Sequence, residues 1–363
     1  MNQIRKERTA DFSYPVRVNG VRLVNTTFSH SVPVSAKGKP LLDYFLGRFP
    51  YHSRQEWLQR IQAGQVLLNG IAATAETRLR TGMRVQYRME NYAEPAVPVS
   101  FREILRQGDL ALVHKPAGLP VHRTGRVLVN TLVNLYRIHC GEDSWSPLHR
   151  IDAETSGLVA FARGSKALSR YATERPETAW VKLYLAVVAG APPEQGVMDI
   201  ALAEKNDDPI HTRMHPDALG RPSQTKFRRL LAGKDRALLL LRPLTGRKHQ
   251  IRAHCAASGF PIVGDKMYGQ DGNFYLRRSG ADFTDEDYLK LGATHHLLHA
   301  FHLKIRAEDG SGITGQDPLL PDAFLEYFPE LSKILPRIPE GAEFLELDAN
   351  EHQPLFGRPK ILR

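Results

Sequence analysis

Apolar residues at Leu41, Leu42, Phe45, Leu46 and Phe49 fall on one face of a helix, and Pro50 ends the run. Ser53-Arg54-Gln55-Glu56 then has the form of a capping box, which predicts a second helix from Ser53 to about Ala63 stopped by Gly64. Val66 to Ala72 reads as two short strands about an Asn69-Gly70 hairpin turn, and Arg78 to Val85 as a further turn and strand. Together they outline a compact αβ module over residues 40–88. Residues 1–39 are polar and lack periodicity, which predicts a flexible lead-in. Residues 89–100, MENYAEPAVPVS, are proline-rich and read as a linker.

Strand-sized apolar runs dominate the rest. Leu110 to Lys115, Leu158 to Phe161, Val181 to Val188 and Arg236 to Arg242 read as strands, the first broken by Pro116-Ala117-Gly118-Leu119-Pro120. Thr131 to Tyr136 is helix-like, Ser165 caps a helix to about Thr173, and Arg247 to Ser258 predicts a helix ending at Gly259. Strands outnumber helices and do not alternate strictly with them. The expectation is therefore α+β, with a largely antiparallel mixed sheet over residues 101–310 and a C-terminal tail, 311–363, packed on or near it.

Composition narrows the class. The chain has 363 residues, 42% apolar and 24% charged, as soluble globular proteins do. Ala237 to Leu241 and Tyr184 to Ala189 are far shorter than the ~20 residues that cross a bilayer. The N-terminus lacks the apolar core of a secretory signal, so a cytoplasmic protein is expected. Cys140 and Cys255 read as free thiols. His295-His296-x-x-His299 lacks the glutamate of a metalloprotease helix, and no C-x-x-C pair occurs, so neither a metal nor a cofactor is expected. Charge is uneven: the formal net value is +10, and residues 1–100 hold 14 Lys and Arg against 7 Asp and Glu. A concentrated basic module suits a polyanion such as RNA, because neutralising phosphates releases counterions.

Three segments carry chemistry. His149-Arg150-Ile151-Asp152-Ala153-Glu154-Thr155-Ser156-Gly157-Leu158 places one carboxylate at the mouth of a buried strand. On the strand Lys182-Leu183-Tyr184-Leu185-Ala186, residues 182, 184 and 186 share a face that presents a phenol. In Thr245-Gly246-Arg247-Lys248-His249-Gln250-Ile251-Arg252-Ala253-His254, residues His249, Arg252 and Ala253 share a helical face. An arginine near Asp152 would keep it ionised, and an ionised aspartate can act as nucleophile or as stabiliser of an oxocarbenium ion. Each residue has a structural alternative: a turn cap for Asp152, a strand aromatic for Tyr184, a structural salt bridge for Arg252.

These segments resemble the motifs of the RluA-type RNA pseudouridine synthases over roughly residues 100–310. That family's His-Arg-Leu-Asp-x-x-Thr-Ser-Gly-Leu falls on His149 to Leu158, with Ile151 for the leucine. Its Lys-x-Tyr-x-Ala falls on Lys182, Tyr184 and Ala186, and its Thr-Gly-Arg-x-His-Gln-Ile-Arg-x-His runs unbroken from Thr245 to His254. Gly264-Asp265-x-x-Tyr268-Gly269 and Lys115-Pro116-Ala117-Gly118 also fit. Residues 40–88 resemble the RNA-binding domain named after the fourth small-subunit ribosomal protein, through Ser53-Arg54 and Val66-Leu67-Leu68-Asn69-Gly70.

The resemblance implies a cofactor-free isomerisation of uridine in structured RNA, ribosomal RNA ahead of transfer RNA. It makes Asp152 the nucleophile or proton acceptor, Tyr184 the platform for the detached base and Arg252 the counter-charge. Arg150 is expected to fill the space of the flipped nucleotide, and Arg247, Lys248, His249 and Thr155 to meet the RNA. Arg54, Arg78 and Arg80 are the expected contacts of the basic module. A monomer is expected. The competing readings are a non-catalytic RNA-binding or ribosome-assembly factor and a glycosidase releasing free uracil.

Overall fold

The structure is a computed structural model. It describes residues 17–18, 21–49, 52–124, 127–172, 180–205, 207–277 and 283–338. The chain divides into two compact units. One takes the described residues up to Val97 together with His122–Thr131; the other takes Pro98–Val121 and the described residues from Leu132 on.

In the smaller unit, β1 (Arg17–Val18), β2 (Val21–Ser31), β3 (Val66–Leu68), β4 (Ile71–Ala72) and β5 (Arg84–Glu94) form a sheet in the order β1-β2-β5-β3-β4. Helices α1 (Leu41–Arg48) and α2 (Arg54–Gln62) accompany it. The capping box is present: the Glu56 amide donates to the Ser53 hydroxyl, and the Ser53 amide donates to the Glu56 carboxylate. Asn69 and Gly70 both adopt positive φ, 50° and 84°, as a primed two-residue hairpin requires. Phe45, Trp57, Ile61, Val66, Leu79, Val85 and Tyr87 pack into its core.

Two expectations are corrected here. Val21–Ser31 lies within the expected flexible lead-in yet is an 11-residue strand, antiparallel to β5 from Arg22↔Glu94 to Ser31↔Arg84 with a register shift between Val24 and Thr26. Local sequence lacks a clean alternation there, and the pairing partner lies some sixty residues away. The expected linker begins too early for the same reason, because β5 continues through residues 89–94. Glu94 is buried and accepts the amides of Val129 and Asn130, which ties residues 122–131 into this unit.

The larger unit contains β6 (Arg102–Gln107), β7 (Leu110–Lys115), α3 (Leu132–Cys140), β8 (Trp145–Pro147), β9 (Ser156–Arg163), α4 (Gly164–Ala172), β10 (Trp180–Ala189), β11 (Gln195–Asp199), β12 (Leu202–Glu204), β13 (Met214–Pro216), β14 (Gln224–Ala232), β15 (Arg236–Pro243) and α5 (Gln250–Ala257). There follow α6 (Asn273–Arg277), α7 (Asp285–Leu291), β16 (Leu298–Arg306), β17 (Gly312–Gln316), α8 (Asp322–Tyr327) and α9 (Leu331–Ile334). The main sheet runs β11-β14-β15-β10-β16-β9-β7-β6, with β17 beside β16 and β8 beside β9. Every pairing in it is antiparallel except β9 with β16. The expected α+β class with a largely antiparallel sheet describes it.

Leu183, Leu185 and Val187 of β10 join Leu238, Leu240 and Phe301 in one core cluster with Phe324 of α8, Phe328 just after it and Leu331 of α9. The alternation of β10 thereby turns Lys182, Tyr184 and Ala186 to the opposite face. The tail begins later than expected, since β17 extends the sheet beyond residue 310. No helix among the described residues is long and apolar enough to cross a membrane.

Candidate active site

Helix α5 starts at Gln250, three residues after the expected Arg247. His249 precedes it in the left-handed conformation, φ 52°, so residues 245–249 are a turn that aims the first helical turn. The Gln250 side chain secures that turn. Its carbonyl oxygen accepts from the Thr245 hydroxyl at 2.7 Å and from the Arg247 amide at 3.0 Å, while its amide donates to the Gln224 carbonyl at 2.8 Å. His254, fully buried, lies within hydrogen-bond distance of the Thr225 hydroxyl and the Ile200 carbonyl. The buried positions of this helix mix hydrogen-bonded Gln250, Arg252 and His254 with apolar Ile251, Ala253 and Cys255.

Arg252 projects from this helix between two carboxylates. Its Nη1 donates to Asp152 Oδ2 at 2.7 Å, and its Nε and Nη2 grip Asp265 bidentately at 2.7 and 2.8 Å. Asp265 is itself held by the amides of Met267 and Tyr268. The Tyr268 ring packs 5.1 Å from the Arg252 guanidinium, and its hydroxyl is 3.2 Å from His249 Nδ1. Arg252 is 7% exposed and Asp265 2%, so neither charge has water enough to do without the other. Asp152 is the carboxylate that faces outward, with 26% of its side chain exposed.

Electrostatics favour an ionised Asp152. Burial raises its pKa, but Arg252, together with the neighbouring His249 and His296, outweighs that and holds it down to about 2. Burial lowers His249 to about 4, so a neutral imidazole lies 3.8 Å from Asp152 Oδ1. Tyr184 is buried beside this carboxylate. Desolvation, and then the Asp152 charge, push its phenol above the ordinary range, so the ring is neutral.

The Asp152 loop is held from behind. Lys115, fully buried at the end of β7, donates to the carbonyls of Pro116 and Ala153 at 2.9 and 2.8 Å. Burial lowers its ammonium to about 7, against the pull of Asp152 and Glu154. Glu154 pairs with Lys266 at 3.0 Å, and Thr155 meets His296 Nε2 at 2.7 Å. Gly157 has φ 106°, and a Cβ there would lie 2.4 Å from the Ala300 carbonyl oxygen, because β9 and β16 pair in parallel at this residue.

The structure thus brings together Asp152, Tyr184 and Arg252, and adds His249, which was expected on the RNA. Thr155 is corrected: at 2% exposure with its hydroxyl on His296, it braces the loop and is not open to RNA. Arg150 is exposed and forms no ion pair among the described residues. Arg247 donates to the Pro222 carbonyl, and Lys248 pairs with Glu204 at 2.6 Å. In the smaller unit Arg54 lies 3.8 Å from Asp43, Arg78 donates to the Gly38 carbonyl, and Arg80 is exposed. Asp265 received no role from sequence reasoning, although Gly264-Asp265 was visible; nothing local says that an arginine thirteen residues earlier will need it. Among the described residues no group of three or more His, Cys, Asp or Glu side chains is arranged to hold a metal ion.

Comparison with known proteins shows the family. A family model described as RNA pseudouridylate synthase matches residues 109–257, the stretch that holds Asp152, Tyr184 and Arg252. An RNA pseudouridine synthase of Chloroflexus aurantiacus is 33% identical over 251 residues, 66% of this chain and 78% of that one. The ribosomal large subunit pseudouridine synthase D of Neisseria meningitidis is 27% identical over 339 residues, 90% of this chain and 86% of that one. The mitochondrial tRNA pseudouridine(32) synthase of Saccharomyces cerevisiae is 27% identical over 292 residues, 77% of this chain and 62% of that one. With a carboxylate, its arginine and a buried tyrosine gathered in the matched region, the chain belongs to the RNA pseudouridine synthase family, whose members isomerise uridine in RNA to its carbon-linked form.

Proposed function

We propose that the enzyme modifies ribosomal RNA in preference to transfer RNA, and that Asp152 drives the reaction with Arg252 and Tyr184 as its partners. The observation that carries the assignment of roles is the shared arginine: Arg252 is anchored on Asp265 by two hydrogen bonds and spends a third on Asp152. That arrangement keeps the outward carboxylate charged and aimed, as either attack on C1′ or removal of a sugar proton demands.

The steps balance without an added reagent. The bond from C1′ to N1 breaks and uracil departs as an anion whose charge is delocalised. Asp152 bonds to C1′ or takes up the sugar proton as the base leaves; the base turns on the Tyr184 face, and C5 bonds to C1′ as the Asp152–C1′ bond breaks or the sugar proton returns. A proton then leaves C5, and N1 takes one up. Extrusion of the uridine from its stack precedes these steps, and Arg150, exposed two residues before Asp152, is placed to occupy the vacated position. Arg247, Lys248 and His249 line the approach as RNA contacts. The smaller unit is proposed as an RNA-binding module of the ribosomal-protein type, with Arg54, Arg78 and Arg80 on phosphates.

Support for ribosomal RNA comes from the Neisseria relative, named for the large ribosomal subunit, whose likeness extends over 90% of this chain and so into the basic module. Pseudouridine mapping of ribosomal and transfer RNA from cells with and without the gene tests the preference. Loss of a ribosomal position is expected; loss confined to transfer RNA would overturn it.

A further inference from the structure

The Asp152 carboxylate spends one oxygen and keeps the other. Oδ2 accepts from Arg252 at 2.7 Å, whereas Oδ1 accepts no side-chain hydrogen bond among the described residues and has His249 Nε2 3.8 Å away. That separation is too long for a hydrogen bond and short enough for one incoming oxygen to touch both atoms. Both side chains are partly exposed, 26% for Asp152 and 13% for His249. The histidine is held for this placement. Its backbone takes the left-handed conformation, φ 52°, which is uncommon outside glycine and is kept where surrounding structure imposes it. Its ring stands edge-on to Tyr268, at 89° with centroids 5.9 Å apart, and its Nδ1 lies 3.2 Å from the Tyr268 hydroxyl. That hydroxyl already accepts the Met214 amide at 2.8 Å, so its own hydrogen is the one free to point at Nδ1. A neutral imidazole that accepts at Nδ1 carries its one hydrogen on Nε2. The tyrosine thereby aims an N–H into the space beside Oδ1.

Which oxygen comes there follows from the sugar. In uridine the base and the 2′-hydroxyl stand on opposite faces of the ribose, so a carboxylate that attacks C1′ from behind the departing base arrives on the face of that hydroxyl. The hydroxyl sits on the carbon next to the one attacked, within reach of a donor beside the attacking oxygen. We infer that His249 Nε2–H donates to the 2′-oxygen of the target uridine as Asp152 Oδ1 attacks C1′, and that His249 thereby selects a ribonucleotide over its 2′-deoxy counterpart. This rests on the pseudouridine synthase reading of the Asp152 site and takes the attack form of its first step. A carboxylate that removed the C2′ proton instead would meet the opposite face, with the hydroxyl turned away from His249. Selectivity arises because a donor enclosed against a 2′-deoxy sugar has lost water without gaining an acceptor.

The test uses the full chain and a synthetic RNA segment that holds the uridine mapped by comparing cells with and without the gene. That uridine is labelled with tritium at C5, because carbon–carbon bonding at C5 expels the hydrogen there. A second version of the segment carries 2′-deoxyuridine, labelled alike, at that position alone. Tritium release is followed in single turnovers with enzyme in excess, and the quantity read is the ratio of the two rates. Removing the hydroxyl also changes how readily the bond from C1′ to N1 breaks, but that effect is common to all variants and cancels when their ratios are compared. The preference for the ribonucleotide is expected to fall about 10-fold in His249→Phe, the size of one hydrogen bond whose donor is otherwise left unpaired. His249→Asn tolerates the left-handed backbone but falls short of the sugar; it guards against a folding defect and should lose the same factor. Tyr268→Phe frees the tautomer and should lose part of it. A preference unchanged in both His249 variants overturns the inference, as does equal slowing on both segments. A normal enzyme that released no tritium from the ribonucleotide segment would instead sink the pseudouridine synthase reading, and this contact with it.

Discussion

The central unit of this enzyme is an arginine divided between two aspartates of opposite character. Asp265 is buried and satisfied by Arg252 and two amides, so it acts as a fixed mount; Asp152 is open to the cleft and has one strong partner. Substituting each should therefore fail differently. Asp152→Asn is expected to abolish tritium release while RNA binding stays nearly intact, and retained turnover would refute its assignment. Asp265→Asn keeps the shape but weakens the grip on Arg252, and a misdirected guanidinium is expected to lower kcat about 100-fold with KM little changed. A loss confined to KM would instead make Asp265 part of RNA binding. Asp152 was legible in the sequence because its neighbours are unusual for a loop. Asp265 was not, because its meaning lies in a contact across thirteen residues and two backbone turns.

At the scale of elements, the predicted helices and strands that survive best carry their own punctuation. The Ser53 box, the Asn69-Gly70 turn and the break at Pro116 work through short-range sterics and hydrogen bonds. Those misread, Val21–Ser31 and the first residues of α5, take their form from distant partners: β5 in one case, the Gln224 backbone in the other. The parallel contact of β9 with β16 is of the second kind and sets the Asp152 loop at the strand mouth. Gly157→Ala combines a positive φ with a Cβ placed 2.4 Å from the Ala300 oxygen, so it should cost at least about 3 kcal/mol in urea unfolding and reduce turnover with it. A variant as stable as the parent would show that β9 and β16 are not so closely joined.

Across the whole molecule the ionised Asp152 leaves a mark on stability. Its folded pKa, about 2, lies below the ordinary value of 3.8, so the unfolded chain binds this proton first as pH falls. The contribution is complete above about pH 5 and is lost as pH drops toward 2. The stability difference between the normal protein and Asp152→Asn should therefore be constant from pH 7 to 5 and fall by about 1 kcal/mol by pH 3. Urea titrations across that range check it; a constant difference would mean that Arg252 does not hold Asp152 in solution. At the same scale, residues 12–97 hold 11 Lys and Arg against 5 Asp and Glu, which gives the smaller unit its own electrostatic character, independent of the catalytic chemistry.

Sequence alone determined the α+β class, the basic N-terminal module, the strand that presents Tyr184 and the segments that carry Asp152 and Arg252. Periodicity, turn chemistry and motif spacing act over a few residues and can be read in order. Only the tertiary structure decided that Arg252 serves two carboxylates, that Thr155 faces inward, and that His249 stands beside Asp152. Each of these is a matter of burial and pairing between residues far apart in the chain, where the cost of a charge or a donor without water selects the partner.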